Sequence, residues 1–166
     1  MNIRLAAKSD FKSISKLHAA SWKDAYRGML SDEYLSGPVD DDLEQRWDGL
    51  ELGERDFVLV AEEERVLQGF LMMWVKDEGY LDNLHVHPDV RSSGIGLQLL
   101  RRSVQHLNSL GVRSFYLWVL EQNAAAKRFY ERHGGQIVGQ EVKPVFEEQL
   151  LHLKMQWSGR SFLQLL

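Results

Sequence analysis

Six residues, Arg91-Ser92-Ser93-Gly94-Ile95-Gly96, stand directly ahead of an apolar run that reads as a helix. A loop of this make-up suits an anion. The first N–H groups of a helix have no partners inside it, and the helix dipole adds roughly half a positive charge at that end. Glycines let phosphate oxygens reach the backbone, and an arginine can pair with one of them. Two common phosphate loops do not fit. A Walker A loop needs Gly-Lys-Ser/Thr, and no lysine stands here; a dinucleotide loop needs a third glycine where this chain has Leu99. His85-Val86-His87 is a second group with chemical character. Two imidazoles can begin a zinc site, but no third ligand follows at metal spacing, so they read as structural.

These residues need elements to hold them. Alternation in Asn2 to Ala6 predicts a short strand, and Ser9-Asp10 a cap for a helix from Phe11 with Ile14 and Leu17 turned inward. A second helix is expected over Asp40 to Leu50, after the Gly37-Pro38 break. Asp56 to Ala61 and Arg65 to Val75 read as strands joined by the charged turn Glu62 to Glu64, and Tyr80 to Val86 as a third, stopped by Pro88. After the glycine loop, Leu97, Leu100, Val104 and Leu107 form one helical stripe ending near Gly111. Ser114 to Val119 is a buried strand. Asn123 to Gly135 is a short helix capped by Asn123 and closed by two glycines, and an antiparallel pair follows over Gln136 to Trp157. The order β-α-α-β-β-β-α-β-α-β-β predicts an α+β fold, and a length of 166 residues suits a single domain spanning 1–166.

Composition narrows the function classes. The net charge of −4 and acidic runs such as Asp40 to Glu44 argue against nucleic acid and toward a cationic or small neutral partner. No stretch of about 18 apolar residues is present, so no membrane partner is expected, and the first ten residues lack a signal-peptide core. The absence of cysteine removes disulfides, thiolate metal ligands and thiol nucleophiles together, and fits a reducing cytoplasm.

Arg-x-x-Gly-x-Gly after a strand ending Leu84-His85-Val86-His87-Pro88 resembles motif A of the GNAT N-acetyltransferase superfamily. Glu121 to Gly135, with Asn123 and Tyr130, is similar to that family's Asn-x-x-Ala-x-x-x-Tyr helix, and the resemblance spans roughly residues 2 to 156. It implies a mixed, mostly antiparallel central sheet with helices on both faces. It also implies acetyl-coenzyme A as cosubstrate, with no metal. The pyrophosphate would rest on Arg91, Ser92, Ser93, Gly94, Ile95 and Gly96. The pantetheine arm would run along Leu84-His85-Val86, with Asn123 as a further ligand, in a gap between two splayed strands. A backbone N–H near Leu84 would polarise the thioester carbonyl.

Acetyl transfer to an amine needs a base for the ammonium and an acid for the departing thiolate. By the two-residue strand period, Tyr80, Asp82, Leu84 and Val86 share one face, with His85 and His87 on the other. If that face lines the cleft, as the resemblance implies, Asp82 is the candidate base, beside Tyr80. Tyr130 is the candidate acid. Trp22 and Tyr26 sit in a segment similar to the family's acceptor wall, although packing accounts equally well for a Trp and a Tyr four apart on a helix. The expected activity is transfer from acetyl-coenzyme A to a primary amine of a small molecule or peptide. A protein N-terminal acetylase and a non-catalytic coenzyme A-binding module are the alternatives. A homodimer through Gln136 to Trp157 and the apolar tail Phe162 to Leu166 is a further expectation.

Overall fold

A computed structural model describes residues 1–145 and 148–166. Among the described residues, seven strands form one sheet: β1 (Asn2–Leu5), β2 (Phe57–Glu63), β3 (Val66–Val75), β4 (Gly79–Val86), β5 (Ser114–Leu120), β6 (Gln136–Val145) and β7 (Glu148–Ser158). Their order is β1-β2-β3-β4-β5-β7-β6, antiparallel throughout except where β4 meets β5. Helices α1 (Phe11–Ala25), α2 (Asp32–Leu35), α3 (Pro38–Asp48), α4 (Ile95–Ser109), α5 (Ala124–Arg132) and α6 (Arg160–Leu163) complete the chain.

The central strands are buried on both faces, which is why β2 and β3 read as nearly unbroken apolar runs. Phe57, Leu59, Leu71 and Met73 turn toward α4, where Leu99, Leu100, Val104 and Leu107 receive them. Val58, Val60, Phe70 and Met72 turn the other way, onto Phe11, Ile14 and Leu17 of α1 and Trp47 of α3. Trp47 is fully enclosed, so truncating it to alanine should cost about 3–5 kcal/mol. Where α4 crosses β3, side chains of the helix lie directly over the bare Cα of Gly69. A Cβ on Gly69 would meet the His85 carbonyl at 3.0 Å and the side chains of Ile95 and Leu99 at 3.2 Å.

Several expectations shift. Leu97 is only partly buried, and the inner stripe of α4 runs instead through Ile95, Leu99, Leu100, Val104 and Leu107. The β2–β3 turn is Glu64-Arg65, both at positive φ, so β2 runs on to Glu63. Asp10 does not cap α1 through its side chain. Its carboxylate instead accepts from the Ala7 N–H at 2.7 Å and pairs with Arg4. The apolar tail is split: Phe162 and Leu165 fill this chain's own core, while Leu163 and Leu166 are exposed.

Candidate active site

The loop ahead of α4 has the backbone of an anion seat. Ser92 lies at φ 61° and Gly94 at φ 84°, both left-handed, and the Gly94 carbonyl opens the helix by accepting from Gln98 N at 3.1 Å. Two left-handed residues in four turn successive N–H groups toward one side. Ser93 braces the turn by donating its hydroxyl to the Val90 carbonyl at 2.5 Å. A Cβ on Gly96 would make ordinary contact with Phe129 of α5 at 3.5 Å and with Val86 at 3.8 Å, so the loop, α5 and β4 meet at this residue. Arg91 reaches back to α1, pairing with Asp24 and donating to the carbonyl and hydroxyl of Ser21, each at 3.3 Å. Arg91 therefore ties the glycine loop to the first helix.

Strands β4 and β5 pair only at Gly79–Phe115 and Tyr80–Tyr116. Past that point no ladder joins them, so the sheet opens as a V toward the C-terminal ends of both strands. The glycine loop follows one arm of the V, and Asn123 follows the other. Asn123 caps α5 as expected, its side-chain oxygen accepting from Ala126 N at 3.1 Å.

One feature of β4 overturns the simple face count. Met72 opposes Asn83 but Met73 opposes Leu81, so Asp82 is an extra residue in a β-bulge. The faces exchange there. Leu81, Leu84 and Val86 turn to the α4 side, whereas Asn83 and His85 pair with Met72 and Phe70 on the α1 side. Asp82 and Tyr80 also stand on the α1 side: Asp82 accepts from Arg46 of α3 at 2.6 Å and from the Trp74 indole at 3.1 Å. Tyr80, Asp82, Leu84 and Val86 thus do not share a face, and His85 lies on the same side as Asp82. No sequence period reveals a bulge, because one added residue reverses everything after it.

Tyr80 stacks on Tyr116 with ring centroids 5.1 Å apart. Burial raises its phenol pKa, and the Asp82 carboxylate raises it further. Tyr130 is 9% exposed, edge-on to Phe129 and Trp157. Burial pushes its pKa up, with Tyr26 adding a smaller push, so the phenol stays protonated at neutral pH. The rings of Trp22 on α1 and of Tyr26, which caps that helix, have centroids 5.1 Å apart.

Beneath lies a network that local spacing could not announce. Trp47 donates to His18 Nδ1 at 3.1 Å, the His18 and His85 rings are 4.6 Å apart, and His85 Nδ1 meets the Ser21 hydroxyl at 2.9 Å. Desolvation, aided by Arg91 and Arg46, drives the His85 pKa down to about 3, so it is neutral. His87 is apart from this group, 3.6 Å from Asp89. Among the described residues, no three His, Cys, Asp or Glu side chains are grouped to hold a metal. Arg46, Trp74, His18 and Ser21 carried no motif, since each meets its partner across the fold.

Known proteins resemble this chain in sequence and in fold. The profile of the acetyltransferase (GNAT) family matches residues 17–135. An uncharacterized N-acetyltransferase of Bacillus subtilis, YuaI, is 25% identical over 173 residues, covering 100% of this chain and 98% of that protein. The crystal structure of the PaiA N-acetyltransferase from Thermoplasma acidophilum in complex with coenzyme A is similar in fold. It has a TM-score of 0.69 and 20% identity, over 96% of this chain and 100% of that one. The yncA acetyltransferase from Salmonella typhimurium, with acetyl-CoA as its cofactor, gives a TM-score of 0.68 and 23% identity, over 95% of this chain and 93% of that one.

Proposed function

We propose, from the premise that the chain belongs to the acetyltransferase (GNAT) family and is an N-acetyltransferase, that it carries acetyl from acetyl-coenzyme A to a primary amine of a small molecule or peptide. The observation that carries this reading is the end of the β4–β5 ladder after Tyr80 and Tyr116, beside a loop with left-handed Ser92 and Gly94. An amide-bearing arm entering the V would satisfy strand N–H and C=O groups that otherwise lack a ladder. The run Leu84-His85-Val86 lines one arm of that V. The N–H groups of Ser92 to Gly96 take the pyrophosphate, with Arg91 and Asn123 at the mouth.

The amine nitrogen attacks the thioester carbonyl carbon, the C–S bond breaks, and the amine's proton leaves toward Asp82, directly or through a water. Arg46 and the Trp74 indole fix that carboxylate, and Tyr80 stands beside it. Tyr130 donates its phenolic proton to the departing sulfur. Its raised pKa makes it a weaker acid, but burial raises the basicity of a thiolate in the same cleft, so the two remain matched. Trp22 and Tyr26 form the acceptor wall.

Isothermal titration with acetyl-coenzyme A tests the reading, run beside a Gly94→Asp/Gly96→Asp double variant. The expected outcome is one site in the wild type and none in the variant, followed by amine-dependent thiol release. A wild type that does not bind overturns the cosubstrate assignment.

A further inference from the structure

Arg91 is the one lysine or arginine between Pro88 and Leu100, and α1 already holds it. Its Nη1 pairs with the Asp24 carboxylate, while Nη2 donates to the carbonyl and hydroxyl of Ser21, each at 3.3 Å. Ser21 and Asp24 are three residues apart, so they share the face of α1 that meets the glycine loop. A guanidinium grips a phosphate with two N–H groups side by side, and either such fork uses Nη1 or Nη2. Both nitrogens are engaged on α1. A phosphate that takes the fork therefore takes it from Asp24 or from Ser21.

Asp24 is an unfavourable residue for its place in the helix. It is the last but one of α1, where the carbonyl end of the dipole repels a carboxylate. Arg91 offsets that repulsion from outside the helix. Among the described residues no other cation pairs with Asp24: its neighbour Lys23 goes to Asp40 of α3. The loop's own acid, Asp89, is turned to His87 at 3.6 Å.

Removing the Asp24 charge has two effects of opposite sign. Arg91 loses one anchor, yet the Ser21 carbonyl and hydroxyl still orient it. At the same time a phosphate loses both a competitor for the arginine and a negative charge beside it. The anchor is the weaker effect, because the Asp24 and Arg91 side chains are 47% and 35% exposed. The charge is the stronger, because a coenzyme bearing several phosphate charges feels it well within a Debye length.

Resting on the acetyl-transfer reading, we propose that Asp24 is a positioning residue that sets cosubstrate affinity through Arg91. Its carboxylate and the pyrophosphate compete for the guanidinium. Binding moves the arginine from α1 to the ligand, and coenzyme A leaves more readily because Asp24 takes the arginine back.

Titration calorimetry with coenzyme A tests this on the full chain, comparing wild type with Asp24→Asn, Arg91→Gln and the double variant. Asparagine keeps the shape of the side chain and removes its charge. The expected result is that Asp24→Asn binds about fivefold tighter, the gain an exposed ion pair allows when it no longer competes. The gain should vanish in the Arg91→Gln background, shrink as salt rises from about 0.05 M to about 0.5 M, and be undone by Asp24→Glu, which restores the charge. An Asp24→Asn protein that binds no tighter, or that gains equally without Arg91, overturns the proposal. Inorganic pyrophosphate is the second probe. If the wild type does not bind coenzyme A but Asp24→Asn still tightens pyrophosphate through Arg91, the exchange stands and the acetyl-transfer reading fails. If neither ligand binds any of these proteins, both fall.

Discussion

The Arg46 guanidinium lies 2.6 Å from the Asp82 carboxylate, joining α3 to the bulge of β4 across 36 residues of sequence. The pair holds the candidate base at the point where the strand changes faces, and both partners keep some contact with solvent. Its worth to stability is therefore small, about 1 kcal/mol or less. Arg46→Met should leave the melting temperature nearly unchanged while lowering kcat. Asp82→Asn should lower kcat by about 10²–10⁴ with little change in acetyl-coenzyme A affinity. Steady-state kinetics beside titration calorimetry reads both, and an Asp82→Asn enzyme of wild-type kcat removes Asp82 as the base.

Tyr130→Phe keeps the ring against Phe129 and Trp157 and deletes only the proton donor. The expected outcome is a fall in kcat of about 10²–10⁴ with cosubstrate binding retained. The same residue predicts alkaline behaviour. The folded-state pKa values of Tyr130, Tyr80 and Tyr26 are raised above the ordinary value near 10. The stability they contribute is thus complete below about pH 10 and is lost as pH climbs toward the folded values. Urea unfolding between pH 9 and 11 should show that loss, and Tyr130→Phe should lessen it (pH values set by a tyrosine pKa of about 10).

Acid acts in the opposite sense on the buried histidines. Burial lowers the His18 pKa, and His85 falls to about 3, both below the ordinary value of 6.5. Their contribution is present above about pH 6.5 and is lost as pH falls toward the folded values, at up to about 1.4 kcal/mol per pH unit for each ring. Urea midpoints measured from about pH 6.5 down to about pH 5 should record it. His85→Phe, which can keep the stack on Phe70, should remove about half the slope.

Gly135 predicts a strong steric effect. A Cβ there would stand 2.5 Å from the Trp157 ring and 3.0 Å from the Tyr130 carbonyl. Trp157 is 0% exposed and stacked on Phe115 at 4.5 Å, so it has little room to yield. Gly135→Ala should cost about 1–3 kcal/mol in chemical denaturation and, by displacing Tyr130, lower kcat as well.

Much of this molecule was legible in the sequence because its signals are local. The glycine loop, the Asn123 cap and the apolar runs of β2 and β3 each depend on neighbours a few residues away. The Asp82 bulge was not legible: nothing in Tyr80 to Val86 marks where an added residue reverses the face, and with it the placing of His85 against Asp82. Arg46 was hidden for a related reason. In an acidic helix it reads as surface, and only the fold, which brings Asp82 to it from 36 residues away, gives it a partner. Trp22 stood open in the sequence between acceptor wall and packing, and its ring does pack against His18 and Tyr26; His18 carried no signal at all, because its partner Trp47 stands 29 residues away.

Most sheets expose unpaired backbone at their rims, and this one also carries it inside, between β4 and β5. A rim can be blunted with charge or covered by a loop, whereas an interior gap that must admit a ligand cannot. The protection here is geometric. A strand from another molecule carries side chains on both faces, and β4, one arm of this gap, is covered by α4 on one side and α1 on the other. On the acetyl-transfer reading, the chain that enters is a thin one that brings amides without flanking side chains. On that reading, the layers that leave room for such an arm would turn away a strand of another molecule, and the protein would be guarded against self-association through its own centre.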